Sequence, residues 1–333
     1  MRVIILGAGG LGSVFGARLA EQGADVTLVA RPTHVEAINK NGLKISGVNG
    51  DSTITNITAM SSADDAVGEF DYLILGVKSK DTAATLAGAA SLKGRIKTAC
   101  SFQNNTTKED DLANWLGAEH VIGFATIEAA QLIEPGHASH TFKLPLSTYF
   151  GELDGTITPR IEAIVDICNA AGIGTKAMPN IKQVMWEKIT QIANAAGWSV
   201  STLAGNKNLV MNDGMVIQEG AEHYVQYARE LISVYKALGY QPENFFAPVS
   251  KLKELDGGSF DDAVATVIAI GEGMNKAGMK GRPSMFTDVI SGKKTEVEET
   301  IGPFVHKARE LGISVPTVDA VYRIIKVLDH YLV

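Results

Sequence analysis

Six residues near the start of the chain, Gly7-Ala8-Gly9-Gly10-Leu11-Gly12, have the spacing G-x-G-x-x-G directly after an apolar run, Val3-Ile4-Ile5-Leu6, and at the opening of a segment with helical periodicity. In that setting each glycine has a physical task. The first permits a tight turn, the second lets the backbone approach a pyrophosphate, and the third lets helix and strand pack closely. The helix N-terminus adds free N–H groups and a partial positive charge. The chemistry expected is dinucleotide binding, with Gly7, Ala8, Gly9, Gly10, Leu11 and Gly12 as the cradle. The second strand bears on which dinucleotide. It ends Val29-Ala30-Arg31, with no carboxylate for the ribose 2′-hydroxyl of NAD and a guanidinium suited to the 2′-phosphate of NADP. Read alone, Arg31 is also compatible with a solvated surface arginine, and Asp25, ahead of the strand, reads as a turn residue.

Elements that position such a cradle are legible around it. Val3–Leu6 reads as a strand apolar on both faces, Leu11–Gln22 as a helix with Leu11, Val14, Phe15 and Leu19 on one side, and Val26–Val29 as a second strand. Tyr72–Val77 and Ile96–Phe102 read as later buried strands. Strands alternating with helical patterns predict an open, doubly wound parallel sheet, a Rossmann-like α/β domain. From about Asn180 helical periodicity dominates: Lys182–Ala196, Met215–Leu238, Phe260–Met274, Lys294–Leu311 and Val315–Leu332. The expected division is an NADP-binding domain over 1–180 and an all-helical substrate and catalytic domain over 181–333, with Asn180 as the candidate N-cap of the first helix.

Composition narrows the class. The chain has 333 residues, 30 Lys plus Arg against 37 Asp plus Glu, and a net charge of −7, so it lacks the basic footprint of a nucleic-acid binder. Its 34 glycines show no collagen-like period. Cys100 and Cys168 are the two cysteines, too few for a disulfide framework or a four-cysteine zinc site. The histidines form no ligand-spaced cluster, so no metal is expected. The apolar run at the N-terminus stops at Gly7 and Arg18 and Glu21 follow, unlike a signal peptide. No apolar stretch approaches the length of a membrane span. These features read as a cytoplasmic protein with a small-molecule partner and no nucleic-acid or membrane partner.

Several further pieces, in order, carry a family resemblance: Gly76-Val77-Lys78 after a strand, Phe102-Gln103-Asn104, Pro135-Gly136 with His140, Trp186-Glu187-Lys188, and Ser284-Met285-Phe286-Thr287-Asp288 followed by Thr295-Glu296. With the glycine motif and Arg31, they make the chain resemble the ketopantoate reductase family over nearly its whole length. Members of that family act in pantothenate biosynthesis and reduce 2-dehydropantoate to pantoate with NADPH. The resemblance implies that Lys188 is the catalytic lysine, donating a proton to the substrate carbonyl oxygen, and that Glu296 is its acidic partner. It implies that Asn104 touches both cofactor and substrate, that Lys78 lies near the cofactor, and that Ser284 binds the substrate carboxylate. Taken alone, Lys188 is compatible with a lysine snorkelling from the edge of an apolar face, Glu296 with a solvated helix residue, and Asn104 and Ser284 with helix caps.

Departures from the family pattern bear on the substrate. Its asparagines one and two turns beyond the lysine, and another before the serine, fall here at Ile192, Ala196 and Gly281, and its Asn-Gly-x-Gly reads Asn104-Asn105-Thr106-Thr107. Sites built to hydrogen-bond a hydroxyl discriminate strongly, so the expectation is an NADPH-dependent reductase of a 2-oxo acid less hydroxylated or bulkier than ketopantoate. Gln191, Asn194 and Arg282 are possible replacements in the substrate site: Gln191 lies one helical turn from Lys188 and so on its face, Asn194 at i+6 points well away, and Arg282 is equally compatible with an exposed loop residue. The rival readings are a hydroxy-acid or opine-type dehydrogenase, and a non-catalytic NADP(H)-binding sensor. A homodimer is compatible with the helix-rich second half.

Overall fold

The structure is a computed structural model and describes residues 1–333. The chain divides into two compact units, Met1–Met185 and Trp186–Val333. In the first unit the chain runs β1 (Arg2–Leu6), α1 (Gly10–Glu21), β2 (Asp25–Val29), α2 (Pro32–Asn41), β3 (Leu43–Gly47), β4 (Ser52–Ile54), β5 (Thr58–Met60) and β6 (Phe70–Leu75). It continues through α3 (Thr82–Ala87), β7 (Ile96–Ser101), α4 (Lys108–Leu116), β8 (Ile122–Thr126), β9 (Ala129–Glu134), β10 (His137–Phe142), β11 (Thr148–Glu152), α5 (Pro159–Ala170) and β12 (Thr175–Ala177).

Five of these strands form a parallel sheet in the order β5-β2-β1-β6-β7. Strand alternation explains why β1 is apolar throughout. Val3 and Ile5 enter a core shared with Val14 and Phe15 of α1, whereas Ile4 and Leu6 enter a second core with Leu86, Leu92 and Leu112. The chain moves outward from β1 to β2 and then returns to β6 on the other side of β1. That reversal of direction leaves a crevice at the carboxyl ends of β1 and β6, the position where sheets of this kind take ligands.

Two smaller sheets, β4-β3-β10-β9 and β12-β11-β8, complete the unit and were not expected from the sequence. Their strands are short, and β9 reads Ala-Ala-Gln-Leu-Ile-Glu with no residue fully buried. A strand with so little burial contrast carries little hydrophobic pattern.

Helix α6 (Ile181–Leu203) runs from the first unit into the second. The second unit is otherwise α7 (Met211–Met215), α8 (Gln218–Ala237), α9 (Leu252–Asp256), α10 (Phe260–Lys276), α11 (Ser284–Ile290), α12 (Val297–Thr300), α13 (Gly302–Leu311) and α14 (Pro316–Leu328). The fold is thus a Rossmann-like parallel sheet followed by an all-helical region, as expected. Three boundaries differ. The segment expected as one helix over Met215–Leu238 is split between α7 and α8. That over Lys294–Leu311 breaks where Pro303 enters the first turn of α13, since proline has no N–H to continue α12. Helix α6 extends past Ala196 to Leu203, burying Trp198 and Val200 in the helical core. No helix is long and apolar enough to cross a membrane.

Candidate active site

The glycine turn leaves β1 with Gly7 at φ +95°, a conformation that an L side chain rarely adopts. The amides of Gly7 and Ala8 both donate to the Val29 carbonyl (3.0 Å each), which ties the turn to the end of β2. A β-carbon at Gly12 would stand 2.7 Å from the Gly7 carbonyl oxygen, and one at Gly10 would stand 2.8 Å from the Ala130 carbonyl oxygen. These two glycines serve packing. At Gly9 a β-carbon would meet nothing within 4 Å, so the backbone is bare toward open space there. No side chain caps α1 and no acidic residue lies in its first turn. The first intrahelical bond is Ser13 N–H to Gly9 O (2.9 Å), which leaves the amides of Gly10, Leu11 and Gly12 as the unsatisfied donors of a helix start. An anion such as a pyrophosphate fits this donor set.

Arg31 follows β2 at the N-cap position of α2, exposed and without a carboxylate partner. Nearby, buried His34 links three segments. Gly136 N–H donates to its Nδ1 (2.8 Å), so its proton is on Nε2 and is given to Ser13 Oγ (3.0 Å), which in turn reaches Ala8 O (3.3 Å). Burial, and secondarily the charge of Arg31, lowers the His34 pKa below its ordinary value. The imidazole is neutral near pH 7 and fastens α1, α2 and the β9–β10 turn together.

Lys78 is exposed and follows the β6 end of the sheet. Asn104 sits in the loop after β7, between two residues whose amides are engaged. Gln103 Nε2 donates to Val77 O (2.9 Å) and Thr82 Oγ1 (2.7 Å). Asn105 Nδ2 donates to Ser79 Oγ (2.9 Å), and its Oδ1 accepts from Thr107 N–H (3.1 Å). Asn104 does not cap α4, whose N-cap residue is Thr107. No residue of Asn104-Asn105-Thr106-Thr107 has a positive φ, so this chain closes the loop without the glycines of the family pattern.

In the second unit, Lys188 is only 5% exposed on α6. The preceding residue shows what orients it. Glu187, fully buried, accepts N–H bonds from Glu243 (2.7 Å) and Phe245 (2.8 Å) and faces the Tyr235 hydroxyl (3.4 Å). Its pKa is raised, because burial outweighs those donors. Successive helical residues differ by about 100° in direction, so anchoring Glu187 fixes the azimuth of Lys188.

Gln191 is one turn further along, with Oε1 buried and unpartnered. Asn194, 1% exposed, likewise has an unpartnered Oδ1. Ala196 is 2% exposed in the helical core. Gly281 lies where a β-carbon would stand 2.6 Å from Met274 Cε.

Glu296 is half-buried at the N-cap of α12. Its neighbour Thr295 is pinned by Asp329 through N–H (2.9 Å) and Oγ1 (3.0 Å). Ser284 is the first residue of α11 and exposed; the N-cap is Pro283 and no side chain caps the helix. Arg282 is exposed and donates to Lys207 O (2.8 Å).

Sequence reasoning missed most of the buried polar groups that hold these elements: His34, the pair Lys108 and Glu109, and, in a cluster with His140, Glu128 and Ser147; Glu187 and His140 stand in the motifs that carry the resemblance, without an assigned role. In that cluster both carboxylate oxygens of Glu128 are taken, one by His140 Nε2 and one by the Ser147 hydroxyl. Apart from Lys108 and Glu109, which are adjacent in sequence, these contacts join residues a dozen or more positions apart, and no local pattern announces them.

Comparisons with known proteins agree over both units. Residues 3–155 match the family described as "Ketopantoate reductase PanE/ApbA", and residues 180–329 match "Ketopantoate reductase PanE/ApbA C terminal". A 2-dehydropantoate 2-reductase of Archaeoglobus fulgidus is 30% identical over 312 residues, covering 94% of this chain and 92% of the relative. Among solved structures, a PanE/ApbA family ketopantoate reductase from Ralstonia eutropha JMP134 is similar with a TM-score of 0.79 at 24% identity, covering 99% of each chain. A ternary structure of D-mandelate dehydrogenase with NADH and anilino(oxo)acetate is similar with a TM-score of 0.77 at 19% identity, again over 99% of each chain. These two likenesses establish the fold. Matched in both halves, and with a relative at 30% identity over most of its length, the chain belongs to the ketopantoate reductase family, a family of NADP(H)-dependent oxidoreductases.

Proposed function

We propose that the chain reduces the carbonyl of a small 2-oxo acid, 2-dehydropantoate or a relative of it, with NADPH. The observation that carries this reading is a lysine ammonium held almost wholly out of water on α6, in a chain whose family performs carbonyl reduction. NADPH, when bound, supplies the hydride. Gly7–Gly12 would hold its pyrophosphate through the amides at the start of α1, and Arg31 would pair with its 2′-phosphate. Lys78 and Asn104 would line the cofactor, and Asn104 would also reach the substrate. Lys188 Nζ would give a proton to the carbonyl oxygen as negative charge develops there, and the product is the hydroxy acid. Glu296 would hold that ammonium or a substrate hydroxyl in place. Ser284 and Arg282 would take the carboxylate, with Gln191 Oε1 as an acceptor further along α6.

Ile192, Ala196 and Gly281 supply no side-chain hydrogen bond. We therefore expect a substrate with fewer hydroxyls, or a bulkier apolar group, than ketopantoate. NADPH oxidation measured with ketopantoate beside a panel of other 2-oxo acids tests this. The expected result is a higher kcat/KM for a bulkier or less hydroxylated acid; ketopantoate reduced ahead of the others at ordinary enzymatic efficiency would refute it.

A second reading is a hydroxy-acid or opine-type dehydrogenase working oxidatively, because such enzymes share the plan of a Rossmann sheet followed by a helical domain. Running the panel in both directions separates the two. A non-catalytic NADP(H)-binding sensor is the remaining rival. Lys188 and Glu296, both retained, argue against it, and tight NADPH binding without turnover of any 2-oxo acid would favour it.

A further inference from the structure

Lys108 is 3% exposed, at the first position of α4. Its ammonium donates to the carbonyl of Ser101 at the end of β7 (2.9 Å), to the carbonyl of Phe124 in β8 (2.8 Å), and to the carboxylate of Glu109. Met185 Sδ lies 3.5 Å away. An ammonium has three donors, and here they are spent on two strand carbonyls and one carboxylate. Glu109 is itself buried, so the pair is close to neutral when seen from a distance and contributes little long-range field. What remains of its effect is geometric.

That geometry acts on one segment. Residues 102–107 leave β7 at Ser101 and return at Lys108, so the ammonium ties the last residue before the loop to the first residue after it. Ser101 Oγ extends the tie, donating to Leu75 O (3.0 Å) and accepting from Gln103 N–H (3.1 Å). With Gln103 and Asn105 fastened to the 77–82 segment, every polar side chain flanking Asn104 has been committed to holding the loop.

We infer that Lys108 is a positioning residue for Asn104: its buried ammonium closes the base of the 102–107 loop and so sets the Asn104 side chain for cofactor and substrate. This rests on the proposed role of Asn104 and adds a residue that acts only through it. Replacing the lysine by methionine keeps the volume of the stem but takes the ammonium donor from two buried carbonyls and from the buried Glu109 carboxylate.

Two readouts on the full-length protein test the inference. In K108M, amide hydrogen exchange over 102–107 should quicken by about ten-fold or more while β1 and β6 keep their protection. In a double-mutant cycle with N104A, K108M alone should lower kcat/KM by roughly ten-fold, and in the N104A background by less than about two-fold, because the two residues act as one unit. The cycle is read also on the NADPH dissociation constant, from nicotinamide fluorescence. Unchanged loop exchange in folded K108M, or additive effects in the cycle, would overturn the inference. If K108M fails to fold, K108Q, which keeps a donor of shorter reach, is put through the same two measurements with the same criteria. A wild-type chain inert toward all 2-oxo acids would sink the reductase reading, while the exchange rates and the cofactor cycle would still decide the role of Lys108.

Discussion

At the scale of single residues, Arg31 and His34 divide the work at the end of β2. Arg31 is exposed and unpaired, a guanidinium available to a dianion; a charge-assisted bond of this kind contributes about 1.5–3 kcal/mol, or roughly ten- to a hundred-fold in affinity. Arg31→Ala should therefore weaken NADPH by that factor and leave NADH nearly unchanged. Equal losses for the two cofactors in a fluorescence titration would remove the 2′-phosphate assignment. His34 is the buried fastening beneath. Its folded-state pKa is depressed by burial and by Arg31, so the folded protein disfavours the imidazolium. The stability it contributes is present above its ordinary pKa near ~6.5 and is lost as pH falls through the lowered folded value. Protonation would also place a second donor against Gly136 N–H. The thermal midpoint should fall as the buffer is taken from about pH 7 to about pH 5, with a smaller fall in His34→Gln than in the wild type; an equal or steeper fall in the variant would show that another group governs it.

At the scale of elements, the β1–turn–α1 unit is where sequence and structure agree most closely, and the reason is local. An apolar run, a glycine at positive φ and an amphipathic helix are all written within about twenty residues. Gly12 shows how tightly the unit is built. Its missing side chain leaves room for the Gly7 carbonyl, and Gly12→Ala should destabilise the protein by about 1–3 kcal/mol through backbone displacement. Denaturant unfolding with a midpoint equal to wild type would contradict that packing argument. The 102–107 loop was less legible. Asn104 could be singled out, but Lys108 begins a Lys-Glu-Asp-Asp run that looks like a solvated first turn. Its burial depends on Phe124 and Met185, and His34 likewise depends on Gly136, 102 residues further on. Propensity and periodicity do not reach across such separations. The split of Lys294–Leu311 had a local signal in Pro303, which the helical reading passed over.

At the scale of the whole molecule, the order of apolar strands and helices marked a Rossmann-like sheet followed by a helical region, and the short auxiliary sheets escaped because their strands carry so little burial contrast. The substrate is a subtler matter. On α6 the family's amide positions fall at Ile192 and Ala196, while the buried amide oxygens without partners belong to Gln191 and Asn194.

The claim on which the functional account rests is that Lys188 delivers the proton that accompanies hydride transfer. It is tested most directly by single-turnover NADPH oxidation in Lys188→Ala, with the best 2-oxo acid of the panel and with cofactor affinity measured in parallel. The account predicts a loss of about 10²- to 10⁴-fold in rate with NADPH binding nearly intact. Wild-type turnover in that variant would contradict it.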